Sequence, residues 1–405
     1  MKSKLNLPPI IKEKDSEKKP LTPEEQKERK KKIRKRILLV LFVLLNVAII
    51  AWTALSEFGD SDDAANLADI KIKWWLILPA AVAFLIAATS EIAKYFIMAI
   101  HTHSTPEGAS RRKLWKISQR TVLLGRYYDN ITPAAVGGQP FQIYYMYKSG
   151  IKDGYGAVIP LVAMITDQLG FLILGLISIV IGGLFNAIWS PAIIAIGWIG
   201  LLVNGFMPLV ILAATFLPKT TEEIMTIGIK FLHKIHIIKD REAATEKARS
   251  SVRQYSSGIK VILKEKGLFF KMLLLSMAYY FCLLTIPYFV LSAFGAEIGF
   301  FACFATTTAV TAAVYFIPTP GNAGAAEGTF YSVFSVLPVS GYVFWAMLLW
   351  RFFVYYLWLL LGIFTQSRIY IDDKNLVKNW DKKVDNFEET AVSNVKSAKK
   401  AKKDS

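Results

Sequence analysis

Long apolar runs separated by short charged segments set the rhythm of this chain. Six stretches, 37–56, 74–100, 155–183, 188–217, 268–292 and 341–364, are each mostly apolar over about 20 residues or more. A helix of that length crosses a ~30 Å hydrocarbon core, so each predicts a transmembrane helix. Two further apolar regions break the pattern. One contains Arg126-Tyr-Tyr-Asp-Asn-Ile-Thr-Pro-Ala-Ala-Val-Gly-Gly-Gln-Pro140, the other Tyr315-Phe-Ile-Pro-Thr-Pro-Gly-Asn-Ala-Gly-Ala-Ala-Glu-Gly328. Proline removes a backbone donor and clashes with the preceding turn, so neither reads as a straight helix. At membrane depth, freed backbone groups are tolerated only inside protein or beside water. Each stretch therefore predicts the turn of a re-entrant hairpin or a broken helix, over 126–146 and 315–338.

The two stretches share Thr-Pro-x-x-x-Gly at an offset of 187, Thr132-Pro133 with Gly137 and Thr319-Pro320 with Gly324. The first hairpin is expected to enter from the cytoplasm and the second from outside. That is the arrangement of an inverted repeat with discontinuous helices. In the alternative, 298–317 crosses fully and raises the number of spans. The expected fold class is an all-α polytopic membrane protein with six to eight transmembrane helices. Its parts are a basic tail (1–36), a first membrane bundle (37–217), an amphipathic loop (218–267), a second bundle (268–367) and a basic, disordered tail (368–405).

Charge orients the spans. Residues 1–36 carry 14 Lys/Arg against 6 Asp/Glu, and loop 218–267 carries 11 against 6. From Arg368 onward there are 10 basic and 7 acidic residues. Segment 102–126 has Arg111, Arg112, Lys113, Lys116, Arg120 and Arg126 against Glu107, whereas loop 57–73 is acidic. Basic connections stay in the cytoplasm, so both termini are expected inside, in a bacterial inner membrane. The net charge of +17 is explained by these flanks and by anionic lipid, and nucleic acid is not an expected partner. Ile37–Leu55 is too long for a cleavable signal core and reads as a signal anchor.

Composition agrees, with 54% hydrophobic and 20% charged residues. Cys282 and Cys303 sit in apolar segments as buried thiols, and neither a disulfide framework nor a zinc site is expected. His101, His103, His233 and His236 lack ligand spacing. There is no phosphate-binding Gly-x-x-x-x-Gly-Lys-Ser/Thr, no dinucleotide fingerprint and no Gly-x-Ser-x-Gly elbow. No cofactor or metal is expected.

The candidate chemistry lies in a short roster of charges inside apolar segments. A charge at the centre of a span costs about 2.5–3.5 kcal/mol on insertion scales and reads as functional by default. Glu91 and Lys94 share a helix face at a spacing of three and can simply neutralise one another. Asp167 and Arg351 each need a partner from elsewhere, and Asp167–Arg351 or Glu327–Arg351 would supply one. Arg126 and Asp129 precede the first motif. Gly137, Gly138, Gly321 and Gly324 permit close approach and positive φ. Half-helices starting after them would offer N–H groups to an anion such as a lipid phosphate.

Asn130-x-x-Pro133-x-x-x-Gly137-Gly138 and Pro318-x-Pro320-Gly321-x-x-Gly324-x-x-Glu327 resemble the two signature motifs of the lysylphosphatidylglycerol synthase transmembrane family, over roughly residues 35–370. The family includes the flippase-like half of the multiple peptide resistance factor. The resemblance implies a membrane protein handling aminoacylated or glycosylated lipids, in some members linked to resistance to cationic peptides. It gives Asn130, Pro133, Gly137, Gly138, Pro320, Gly321, Gly324 and Glu327 the motif roles, and Arg351 resembles the arginine of the last span. Where family members often carry Glu-Arg, this chain has Asp167-Gln168. Only about 35 residues follow position 370, below the ~50 of a small domain, so unaided aminoacyl transfer is not expected.

Three readings follow. The chain is a lipid translocase acting on phospholipid, with aminoacylated phosphatidylglycerol or a glycolipid as cargo; or a phosphatidylglycerol lysyltransferase, as the family name implies; or a non-transporting membrane scaffold. Phospholipid is the expected partner, with a separate lipid-modifying enzyme and a second copy of the chain as further candidates.

Overall fold

The computed structural model describes residues 71–372, apart from 107, 133–134, 136, 152–153, 185–190, 235–239, 315–316, 318 and 338–341. The expected span at 37–56, the tails (apart from 368–372), Pro133 and Pro318 lie outside the described residues. Every regular element among the described residues is helical. The elements are α1 (Ile77–His101), α2 (Arg111–Ile131), α3 (Gly138–Lys148), α4 (Tyr155–Leu184), α5 (Pro191–Phe216) and α6 (Pro218–Lys234). They continue with α7 (Arg241–Lys264), α8 (Lys266–Ala293), α9 (Phe300–Val314), α10 (Ala325–Phe334) and α11, which starts at Val343. α11 runs on through a π turn at Phe352–Tyr356 to Asp372.

Among the described residues, five helices are long and apolar enough to cross a membrane: Trp74–His101, Tyr155–Gly182, Gly197–Phe216, Lys266–Ala293 and Val343–Asp372. They correspond to the last five of the expected spans. Their outward faces are apolar, with Leu85, Leu202, Phe206, Leu209 and Leu274 all exposed. In water such a surface would be costly, and against lipid tails it is neutral. Inward faces carry small residues that let backbones approach. Gly200 of α5 lies so close to the Ala312 backbone of α9 that a Cβ would clash, and Gly170 of α4 meets Ser276 of α8.

The remaining elements are too short or too polar to cross. α9 has 15 residues and α10 has 10, about 22 and 15 Å at 1.5 Å per residue, against a ~30 Å core. Among the described residues, the fully crossing alternative for 298–317 therefore has no helix long enough. α2 and α3 pack on each other as one helix pair, and α9 and α10 as another. Tyr128 of α2 stacks on Phe141 of α3 with ring centroids 3.3 Å apart. The segment read as a basic connection before Arg126 is in fact the first two-thirds of α2, opened by Ser110 accepting from Lys113 N.

The two halves of the chain interleave. α1 packs along α8, α4 lies against α8 and α9, and α9 lies on α5. Lys73 N bonds Ala293 O at 2.9 Å, tying the start of α1 to the end of α8. α6 and α7 pair beside the spans, joined by Arg253 Nε on Glu222 Oε1 at 2.9 Å. Ser256 of α7 bonds Thr215 O of α5 at 2.6 Å.

Candidate functional site

The two proline-glycine turns meet. α2 packs against the turn at Pro320–Asn322, and Tyr355 of α11 donates its hydroxyl to Asn130 O at 3.5 Å. The Tyr355 ring covers Gly321 so closely that a Cβ there would clash.

Each turn is closed by the same device, a carboxylate that accepts the N–H of a glycine at a helix start. Asp129 Oδ1 accepts from Gly138 N at 2.8 Å, and Glu327 Oε2 accepts from Gly324 N at 2.8 Å. Thr132 adds a second bond in the first turn, accepting from Gly137 N at 2.9 Å. The glycines are used differently. Gly321 and Gly324 have φ of +60° and +86°, a region other L-residues avoid. Gly137 sits at φ −78°, and what it and Gly138 provide is room: a Cβ on either would strike Thr132 or the Asp129 carboxylate. The positive φ of the first turn falls instead on Ala135.

This narrows the expected anion site. The Gly138 and Gly324 N–H groups at the starts of α3 and α10 are taken by the chain's own acids, so those two donors are not open to a phosphate. The cause is local geometry. An acid three residues into α10, or at the end of α2, reaches the glycine amide with no loop to reorganise.

The expected charges gather in two ion networks. Lys94 of α1, completely buried, pairs with Glu91 at 2.7 Å and with Asp167 of α4. It also donates to Ser276 Oγ at 3.0 Å. Arg126 of α2 reaches Glu91 at 3.1 Å and Asp167 at 3.5 Å. Its guanidinium lies 4.6 Å from the centre of the Tyr279 ring, a favourable cation–π geometry. In the second network Arg351 Nε donates to Glu327 Oε1 at 2.6 Å and Nη2 donates to Gly321 O at 3.3 Å. Of the two candidate partners for Arg351, the structure selects Glu327; Asp167 belongs to Lys94 and Arg126.

A cavity of about 280 Å³ opens between these networks. Glu91, Arg126, Asp129, Asn130, Asp167 and Arg351 reach it, and Ala135 of the first turn and Asn322 of the second join them, so both turns and the four spans α1, α4, α8 and α11 contribute. Lys94 and Glu327 stand behind the wall and hold the residues that face it. Several lining groups escaped the sequence reading: Gln139, Gln142, Tyr279 and Tyr355. The two glutamines, three apart on α3, carried a usable signal as paired amides beside the first motif. The tyrosines are ordinary in apolar helices and carried none. The π turn directly after Arg351 was also missed; such turns often mark functional positions.

A helical polytopic membrane protein that gathers ionised groups around a buried cavity between two broken-helix turns is the class defined by this fold and site. The family model for the lysylphosphatidylglycerol synthase TM region matches residues 37–362, and the chain belongs to that family. It is 23% identical over 309 residues to a UPF0104 membrane protein of Methanothermobacter thermautotrophicus, an alignment covering 74% of this chain and 86% of that one. No solved structure matches.

Proposed function

We propose that the chain is a lipid translocase that passes the head group of a phospholipid through the cavity while the acyl chains stay in the bilayer. The observation that carries this reading is the charge-lined space where the two turns meet. Ion pairs that served packing alone would close on themselves, whereas here Arg126, Asp129 and Asp167 face an opening. Arg126 brings a positive charge to the cavity wall for a phosphate oxygen, and its buried Nε has no acceptor among the described residues. Asp167 and Asp129 offer acceptors to hydroxyls or an amine, which suits aminoacylated phosphatidylglycerol or a glycolipid. Because Glu91, Arg126, Asp167 and Arg351 each already have a counter-charge, a head group exchanges partners at those residues rather than meeting bare charges. The setting we infer is a cell membrane with both termini cytoplasmic.

The test is reconstitution into liposomes with fluorescent phosphatidylglycerol, its lysyl ester and a glycolipid, read by accessibility to a membrane-impermeant quencher. Protein-dependent movement of at least one lipid is expected. Rates equal to those of empty liposomes across all three lipids would overturn the reading.

A further inference from the structure

The cavity is not electrically neutral. Lys94, Arg126 and Arg351 are matched by Glu91, Asp167 and Glu327 in the two ion networks, which leaves Asp129 over. Its carboxylate accepts the Gly138 N–H and has no cation within ion-pair distance among the described residues. Arg126, one turn earlier on α2, acts on it only from beyond ion-pair distance and makes its ion pairs with Glu91 and Asp167. Across the cavity stand Tyr279 of α8 and the already paired Arg351 of α11. An unmatched carboxylate in a low-dielectric setting is costly unless something positive joins it.

A second, independent feature points the same way. Gln142, 4% exposed, is one of the residues lining this cavity, and its buried Oε1 has no hydrogen-bond partner among the described residues. Its amide is wedged onto Gly125, where even a methyl group would clash, so it cannot simply turn away. Gln139 Oε1 is likewise without a partner. The arms of the hairpin are antiparallel: Asp129 meets Gly138, and one helical turn further along Gly125 meets Gln142. A carboxylate and two side-chain amides thus lie along one hairpin, and both amide oxygens are unpartnered. Buried acceptors without donors are rare enough to require an explanation.

We propose that this acceptor-lined part of the cavity binds one monovalent cation at Asp129, with Gln142 and Gln139 as further oxygen donors to it. The chemistry fits a sodium or potassium ion, a primary ammonium or a proton. Such a site ties the state of the first turn to cation occupancy, because the ligand shares the carboxylate that closes that turn onto Gly138. It rests on the cavity itself and stands whether or not lipid is moved.

The test uses the purified full chain in neutral detergent, with thermal unfolding followed at constant ionic strength. Choline chloride, too bulky and without N–H donors, is replaced stepwise by sodium, potassium or ethylammonium chloride. A parallel series in choline lowers the pH from 8 to 5. The expected result is a saturable rise in unfolding midpoint with at least one of these, absent in Asp129→Asn. That variant keeps an oxygen for Gly138 and is expected to melt in choline no lower than the wild type. Gln142→Met, which keeps the bulk but removes the acceptor, is expected to raise the half-saturating concentration about tenfold, and it decides the matter if Asp129→Asn does not fold. No response of the wild type to any cation or to pH, or the same response in the variants, would overturn the proposal. Since the readout involves no lipid movement, its failure is distinct from failure of the translocase reading.

Discussion

Glu327 uses both carboxylate oxygens, one on Gly324 N and one on Arg351 Nε, and is 2% exposed. It is therefore a fastener: it closes the second turn and fixes that turn to α11. Removing its partner leaves a buried, unpaired carboxylate. Arg351→Ala is expected to destabilise the protein by about 3–5 kcal/mol, measured by denaturation in detergent micelles, with Arg351→Lys recovering part of the loss. An effect below about 1 kcal/mol, the size of an exposed pair, would show that the pair is solvated. At this scale the sequence was partly legible. Charged identities inside apolar runs are visible at once, and the Glu91–Lys94 spacing announces its own pairing. The partners of Asp167 were not visible, because Lys94 and Arg126 lie 73 and 41 residues away on two other helices. Nothing local encodes which of several buried bases an acid will meet.

At the scale of elements, two glycines of the second turn serve backbone conformation, while those of the first serve space. Gly321→Ala has to hold φ near +60°, costing about 1–2 kcal/mol in a non-glycine residue, and also has to displace the Tyr355 ring. Gly228 of α6 has open space around it and an ordinary helical setting, so Gly228→Ala is expected to stabilise by about 0.5–1 kcal/mol. Thermal midpoints of the two variants should move in opposite directions; a shared direction would contradict the turn geometry. The long spans were legible because apolar length alone specifies them. α2 was not recognised beyond its last residues, since its basic first half looks like a cytoplasmic connection. Hydropathy reports the solvent a segment meets, and a helix that starts in water and ends in the protein interior has no single answer. The π turn after Arg351 leaves no mark in composition either. It arises where packing around a buried guanidinium takes up one extra residue.

At the scale of the whole molecule, what matters is that two turns 187 residues apart in sequence face one cavity. The shared Thr-Pro-x-x-x-Gly pattern hinted at equivalent roles. Their meeting follows from tertiary packing, with α2 directly on the second turn and α1 along α8, which no local pattern carries. If head groups pass through that cavity, the turns have to separate or shift during the cycle, because Tyr355 bonds Asn130 and covers Gly321 in the state seen here. Ala135 of the first turn and Asn322 of the second both line the cavity, so each can carry a cysteine in a chain from which Cys282 and Cys303 have been removed. Joining the pair with a short, reducible bismaleimide is expected to stop lipid movement in liposomes, and reduction to restore it. Either single cysteine treated in the same way should leave the rate unchanged. A linked protein that still moves lipid at the unlinked rate would mean that the turns never part and that any lipid crosses along another face of the bundle.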